Sequence, residues 1–346
     1  MKWFFGLVLA VALIAGALYG VGRFLLPETL MVTRAISVDR PRAAVFAMTN
    51  DLRIVKEWSP YYALDPDAEY TFSGDQPGSG QTMRWSSNVR RVGNGRMSIV
   101  SSAPNQEVQL ILELVDRATL NARLELRPEG GLTNVAWSVS AQCAEGAINV
   151  PCRYMSLIMR SMIERDLDNG LSRLKRLTEQ LPDVDFEGLD PGFDTVEPRA
   201  YVYSAISTSN HETEKMEEAL RDGVNLVTDY MTRNNLVQAG PQIRVTTEWD
   251  AAAQRMSFRV GYPYSGPTPL NVVGVQVGQT PSGRALHVMH DGPRAQVRNT
   301  YAQIYAYLRA HRIAVREDGL PWEVLQSDGA PDGSTPAQIE IFVPLQ

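Results

Sequence analysis

The chain has 346 residues, a formal net charge of −6, 44% hydrophobic and 21% charged residues, an ordinary balance for a globular protein. Its basic residues are scattered rather than gathered into a stripe, which excludes the usual electrostatic footprint of a nucleic-acid binder. Two cysteines and four dispersed histidines show no metal-ligand spacing, so neither a metal nor a cofactor is expected.

Lys2 precedes an apolar run from Trp3 to Gly22, which resumes after Arg23 as Phe24-Leu25-Leu26 and stops at Pro27. About 20 such residues suffice to span a bilayer as a helix. Ala15-Gly16-Ala17 also fits the small-x-small pattern of a cleaved signal peptide. The apolar stretch continues well past Ala17, however, and Tyr19, Arg23 and Phe24 are placed as interfacial anchors. The reading is therefore a retained transmembrane anchor over 1–27. Lys2 and the amino terminus oppose Arg23 and Arg34, so charge barely decides its orientation. The expected location is a bacterial inner membrane, crossed once, with the soluble domains in the periplasm. Removing this segment leaves about 320 residues, more than one hydrophobic core usually serves, and two domains are expected.

The first, 28–181, opens with the alternating strand Met31–Val38 and a short helix from Arg42 to Thr49 introduced by Pro41. Strand-like runs follow at 69–73, 81–87, 95–102, 107–115, 120–127 and 134–141. Turn signals such as Gln76-Pro77-Gly78-Ser79-Gly80 and Glu129-Gly130-Gly131 separate them. Sequential strands on short loops predict an antiparallel sheet. Then Met155, Ile158, Met159, Met162, Ile163, Leu167, Leu171, Leu174, Leu177 and Leu181 recur at helical spacing, which predicts one long amphipathic helix over 152–181. Its methionine content suits a wall that must fit varied apolar partners. Cys143 and Cys152 bracket the connection into this helix. In an oxidising compartment they are expected to form a disulfide, and otherwise two small buried residues.

Ile36-Ser37-Val38-Asp39-Arg40-Pro41, Trp58-Ser59-Pro60, Met83-Arg84-Trp85, Thr133-Asn134-Val135-Ala136-Trp137 and Gly170-Leu171-Ser172-Arg173-Leu174-Lys175 occur in that order. The series resembles the START-like superfamily, specifically its polyketide cyclase/dehydrase and lipid-transport group (SRPBCC). The resemblance implies a helix-grip fold that encloses an apolar cavity between sheet and C-terminal helix. On the alternation, Trp58, Trp85 and Trp137 together with Met155, Met159 and Met162 either line that cavity or fill a core.

Residues 182–198 are acidic and rich in Pro and Gly, and read as a linker. Beyond it, 199–346 repeats the order strand, helix, strand, strand. Helices are expected at 212–234 and 294–311, with strands at 199–208, 242–249, 255–262, 284–290, 322–327 and 338–344. Two such βαββ units side by side bury both helices on one face and leave the other face for a ligand. His287 and His290 lie on opposite faces of one strand. Gly319-Leu320-Pro321-Trp322-Glu323-Val324 and Ala337-Gln338-Ile339-Glu340-Ile341-Phe342-Val343-Pro344 resemble the gyrase-inhibitor-like (GyrI-like) small-molecule-binding domain, also the effector-binding module of some AraC- and MerR-type regulators. That resemblance implies that Glu340 meets a cationic or polar ligand in a cleft lined by Tyr262, Trp322 and Phe342, where a cation can stack on the rings. The DNA-binding segment such regulators carry ahead of this module is replaced here by the anchor and the first domain.

The fold expected is α+β throughout, behind a transmembrane helix. The function expected is non-catalytic, membrane-tethered binding of hydrophobic, amphipathic or cationic small molecules or lipids. The alternative is a hydrolase or cyclase using Glu340 as acid/base.

Overall fold

The computed structural model describes residues 2–115, 118–144, 146, 149–209, 213–250, 252–317, 319–329 and 336–346. Two compact units are formed, Met1–Glu187 and Gly188–Gln346.

The first unit starts with helix α1 (Lys2–Phe24), followed by β1 (Thr29–Val38), the short helices α2 (Arg42–Thr49), α3 (Leu52–Trp58) and α4 (Pro60–Leu64), and strands β2 (Glu69–Ser73) and β3 (Thr82–Ser86). The meander continues through β4 (Gly95–Ala103), β5 (Glu107–Leu114), β6 (Ala118–Glu129) and β7 (Leu132–Gln142) to the long helix α5 (Asn149–Thr178). Local chemistry sets several boundaries. The Asp51 carboxylate caps α3 by accepting from the Arg53 amide, and Ser59 caps α4 just before Pro60 at its first position.

The sheet is fully antiparallel in the order β1-β7-β6-β5-β4-β3-β2. The chain runs hairpin by hairpin from the edge strand β2 to β7, and β1 pairs with β7 to form the other edge. The C-terminal half of α5 lies across this sheet and buries Leu167, Leu171 and Leu174. These join Val38, Trp58, Leu124 and Val135 in one core. This is the helix-grip arrangement that the resemblance implies. The helix begins three residues earlier than its periodicity suggests, because Asn149 and Val150 are already helical and buried.

Helix α1 is long and apolar enough to cross a membrane by length and composition, over Trp3–Phe24 with a mean hydropathy of 2.4, a test a signal sequence also passes. Cys143 and Cys152 are joined in a disulfide with their Cα atoms 5.8 Å apart, which ties the end of β7 to the first turn of α5.

The second unit contains β8 (Gly192–Val196), β9 (Ala200–Ser209), α6 (Thr213–Arg233), β10 (Val237–Gln238), β11 (Gln242–Asp250), β12 (Arg255–Ser265), β13 (Gln276–Gln279) and β14 (Gly283–Gly292). A 3-10 turn (Arg294–Gln296) leads into α7 (Val297–Ala310), and β15 (Trp322–Ser327) and β16 (Ala337–Pro344) end the unit. The strands form one antiparallel sheet in the order β13-β9-β12-β11-β15-β16-β14-β8, with β10 paired to β12. The two βαββ repeats are visible as β9-β12-β11 and β15-β16-β14, joined where β11 meets β15 through pairs such as Arg244 with Glu323. Gly192–Val196, expected as linker, instead forms the edge strand against β14. Five residues between Pro191 and Glu197-Pro198 carry too short an alternation to announce a strand.

Both helices lie on one face of this sheet. Val202, Phe258 and Val260 pack under α6, and Leu286, Ile341 and Val343 under α7. The other face carries its own apolar cluster around Ile243, Val245, Trp322 and Phe342.

Candidate functional site

In the first unit, the layer between α5 and the sheet is not completely filled. A cavity of about 60 Å³ lies among Val55, Trp58, Pro60 and Tyr61 on the short helices, Met97, Leu110, Leu112, Leu120, Ala122, Leu124, Trp137 and Val139 on the sheet, and Ile163, Asp166 and Leu167 on α5. At about 30 Å³ per water in the liquid, the cavity has room for about two waters, and it is smaller than the roughly 150 Å³ that admits a benzene ring. The wall is almost wholly apolar, as small-molecule sites generally are.

Two tryptophans frame it. The Trp58 ring stands edge-on to Trp137, with centroids 5.3 Å apart and planes at 85°. Its indole N–H donates to the Met48 carbonyl at 2.9 Å, which fixes the ring. The buried N–H of Trp137 has no acceptor among the described residues. Leaving such a donor unpaired costs roughly 1–3 kcal/mol. Helix α5 comes so close to this ring that a Cβ on Gly170 would stand 2.6 Å from it, so only glycine fits there.

Asp166 is the one carboxylate on the wall. Burial pushes its carboxyl above the ordinary 3.8, and Arg91 pulls the other way. The Arg91 guanidinium, on the β3–β4 loop, donates to Asp166 at 3.0 Å and so bridges loop and helix over the cavity.

Trp58 and Trp137 both stand on the wall of this cavity. Trp85 stands behind it, stacked on the lining residue Tyr61 at 5.9 Å. Met155, Met159 and Met162 do not line the cavity. They are exposed, and Ile163, Asp166 and Leu167 take the expected place. The cause is helical phase. At about 100° per residue, Met159 and Leu171 differ by roughly 120° around the axis, so spacing of three and four over many turns spreads across two faces.

In the second unit, Trp322, Phe342 and His287 form a three-ring stack on the face away from the helices. Trp322 and Phe342 are parallel within 1° at 4.9 Å, and His287 lies on Phe342 at 5.5 Å. His287 is held at both nitrogens, Nδ1 3.1 Å from a Glu340 oxygen and Nε2 3.1 Å from an Asp194 oxygen. Gln326 also reaches Glu340, at 3.4 Å. The place beside Glu340 and over the aromatic rings is therefore occupied by a side chain of the protein itself. Tyr262 is not part of this cluster. Opposite Val202 in the register, it points to the α6 face, where its hydroxyl donates to Gln242 at 3.2 Å. On that same face Arg244 pairs with Glu323 at 2.5 Å, and Tyr301 donates to Glu323 at 3.0 Å. Burial and the Glu323 charge push the Tyr301 hydroxyl well above its usual range.

Asp166, Arg91, Tyr61 and His287 were not legible as site residues. Asp166 and Arg91 meet across 75 positions. His287 meets Glu340 through a strand pairing whose register no local signal sets. Among the described residues no group of three or more His, Cys, Asp or Glu side chains is placed to hold a metal ion.

No protein-family model and no curated protein matches the sequence. Solved structures are similar in part. The C-terminal domain of EcmrR is 12% identical and covers 46% of this chain and 98% of its own, with a TM-score of 0.39. Ara h 8.0201 is 11% identical over 44% of this chain and 99% of its own, with a TM-score of 0.33. A Chromobacterium violaceum protein is 13% identical over 46% of this chain and all of its own, with a TM-score of 0.32. Identities this low, with TM-scores below 0.5, transfer no activity to this chain.

Proposed function

We propose that the protein is a non-catalytic binding protein for small apolar molecules, held at a membrane by α1, with the cavity of the first unit as its site. The observation that carries this reading is the unfilled, nearly all-apolar space between α5 and the sheet. A ligand the size of one aromatic ring enters once the lining side chains give way a little, and an acceptor atom on it would pair the Trp137 N–H. A longer amphipathic molecule or lipid chain requires α5 to move outward, which the bond from Arg91 to Asp166 opposes. The test is fluorobenzene binding to the full chain in lipid nanodiscs, followed by fluorine NMR. Ala122→Phe, which fills the cavity from β6, should abolish the bound signal while the fold is retained. An identical signal in both proteins would mean that the probe is only dissolved in lipid.

The second unit, as a GyrI-like binding module, is the lesser site in this reading. A cationic ligand there has to displace His287 from Glu340 and Phe342. A catalytic reading is favoured by one feature, the Asp194–His287–Glu340 chain, which could orient Glu340 as an acid/base. An activity screen in which Glu340→Gln matches the parent protein would remove it.

A further inference from the structure

The first turns of α5 grip the end of α1. Arg153, only 3% exposed, donates to the carbonyls of Gly22 (3.3 Å), Arg23 (2.8 Å) and Leu26 (2.8 Å) and pairs with Glu28. It thereby satisfies carbonyls that the end of a helix leaves without partners. The Tyr154 hydroxyl donates to the Leu18 carbonyl at 2.7 Å. A Cβ on Gly22 would stand 2.4 Å from Val150 and 2.7 Å from Tyr154, so the two helices touch closely. The disulfide fixes the same turn to β7.

Immediately after this joint the helix is bare. Residues 157–162 are all exposed. Met155 is 54% exposed, Ile158 70% and Met162 42%, with Met159 between them on one stripe. An apolar stripe of this kind facing water marks an interaction surface, and flexible methionines suit a fluid partner. Leu18 lies inside the apolar segment Trp3–Phe24. Along α5, at about 1.5 Å per residue, Met155 and Ile158 lie within about 6 Å of Tyr154, Met159 about 8 Å and Met162 about 12 Å from it, so the stripe starts beside that segment. The sheet register adds two segments to the same end. Thr29 pairs with Gln142, Leu114 with Ala118, and Trp85 with Gly95, which places the β3–β4 loop and the end of β5 at the same end of the sheet as the start of β1. Each presents an exposed valine, Val89 and Val115, and the Val115 amide ties the end of β5 to Asn94 of the loop.

We propose that the Met155–Met162 face of α5, with Val89 and Val115, is a lipid-contact surface seated in the interfacial layer of the bilayer that α1 spans. It rests on the reading of α1 as a retained anchor. The bilayer is the occupant because the stripe continues the surface of an apolar helix and is fixed against it by Arg153 and Tyr154. Ile163 and Asp166, on the next turn, already belong to the cavity wall, so lipid contact and ligand site are neighbours on one helix. Apolar ligands would then enter from the membrane rather than from water.

The test uses the full chain in phosphatidylcholine nanodiscs, with a nitrobenzoxadiazole fluorophore on Met159→Cys, on Met155→Cys, and on Leu132→Cys at the opposite end of the sheet. Replacing the lipid with its 6,7-dibromo analogue should quench the two α5 probes roughly twofold and leave the Leu132 probe in water and unquenched, as interfacial burial of an apolar face requires. Equal, weak quenching at all three sites overturns the proposal, including the case in which a protein partner covers the stripe. Fluorobenzene binding is read separately. Binding without quenching overturns the docking surface and leaves the ligand site standing, and quenching without binding supports the surface while removing the ligand site.

Discussion

Both units set large aromatic side chains against one face of an antiparallel sheet, and they use them in opposite ways. In the first, Trp58 and Trp137 stand at right angles and hold a space open beneath α5. In the second, Trp322, Phe342 and His287 lie flat on one another and leave no room between the rings. Crossed rings pinned by a backbone bond and a close glycine keep a void that neighbouring side chains cannot reach. Parallel rings bury each other's faces and gain the stacking energy themselves. The histidine also brings the polar partner that a ligand would otherwise supply to Glu340. A pair of neighbouring aromatic residues is thus compatible with either outcome, and the angle between the rings decides it.

The comparison can be broken most forcefully at Trp58. Trp58→Ala removes a ring that is 1% exposed and should cost about 3–5 kcal/mol in the denaturant transition of the first unit. A cost under about 1 kcal/mol would show a collapsible site and no rigid frame. Next is the joint at the head of α5. Cys143→Ser or reduction opens a loop of sequence separation 9 and should lower stability by about 2–3 kcal/mol, with the second unit unaffected. In the second unit, His287→Ala removes the outer ring and the bridge between Asp194 and Glu340, with an expected cost of about 1–2 kcal/mol. If the stack instead conceals a cation site, the same substitution should create binding of a quaternary ammonium probe by calorimetry.

The smallest effect concerns Asp166. Its carboxyl is raised by burial, so its contribution to the folded state is greatest below the ordinary value of 3.8 and is lost as pH rises through the raised value. Fluorobenzene affinity should increase as pH falls through that window, because a neutral wall no longer draws water or holds Arg91. Asp166→Asn should flatten the profile and change neutral-pH stability by less than about 1 kcal/mol. Met159→Trp, on the exposed face of α5, should leave fluorobenzene binding unchanged.

Most of the fold is legible in the sequence, because both repeating signals are local. Alternation locates β4 through β7 to within a few residues, and the helix at Arg42–Thr49 is read residue for residue. The second unit's element order is legible for the same reason. Short edge strands such as β8 and β13 escape, since two or three alternations are not a pattern. The site is less legible. Trp58 and Trp137 announce themselves, but the methionine stripe misleads because its phase drifts around α5. The contacts that give the sites their chemistry, Arg91 with Asp166 and Asp194 with His287, join segments 75 and 93 positions apart. They depend on strand register and loop placement, which no local pattern encodes.

The contrast between an open frame and a closed stack is tested most directly by photolabelling. The full chain in nanodiscs would be irradiated with 3-trifluoromethyl-3-phenyldiazirine, a small apolar aromatic probe, and the modified peptides mapped by mass spectrometry. The account predicts label on cavity residues such as Met97, Leu112 and Ile163, lost in Ala122→Phe, and none on β14, β15 or β16. Label on Trp322 or Phe342, with the cavity residues unmodified, would contradict it.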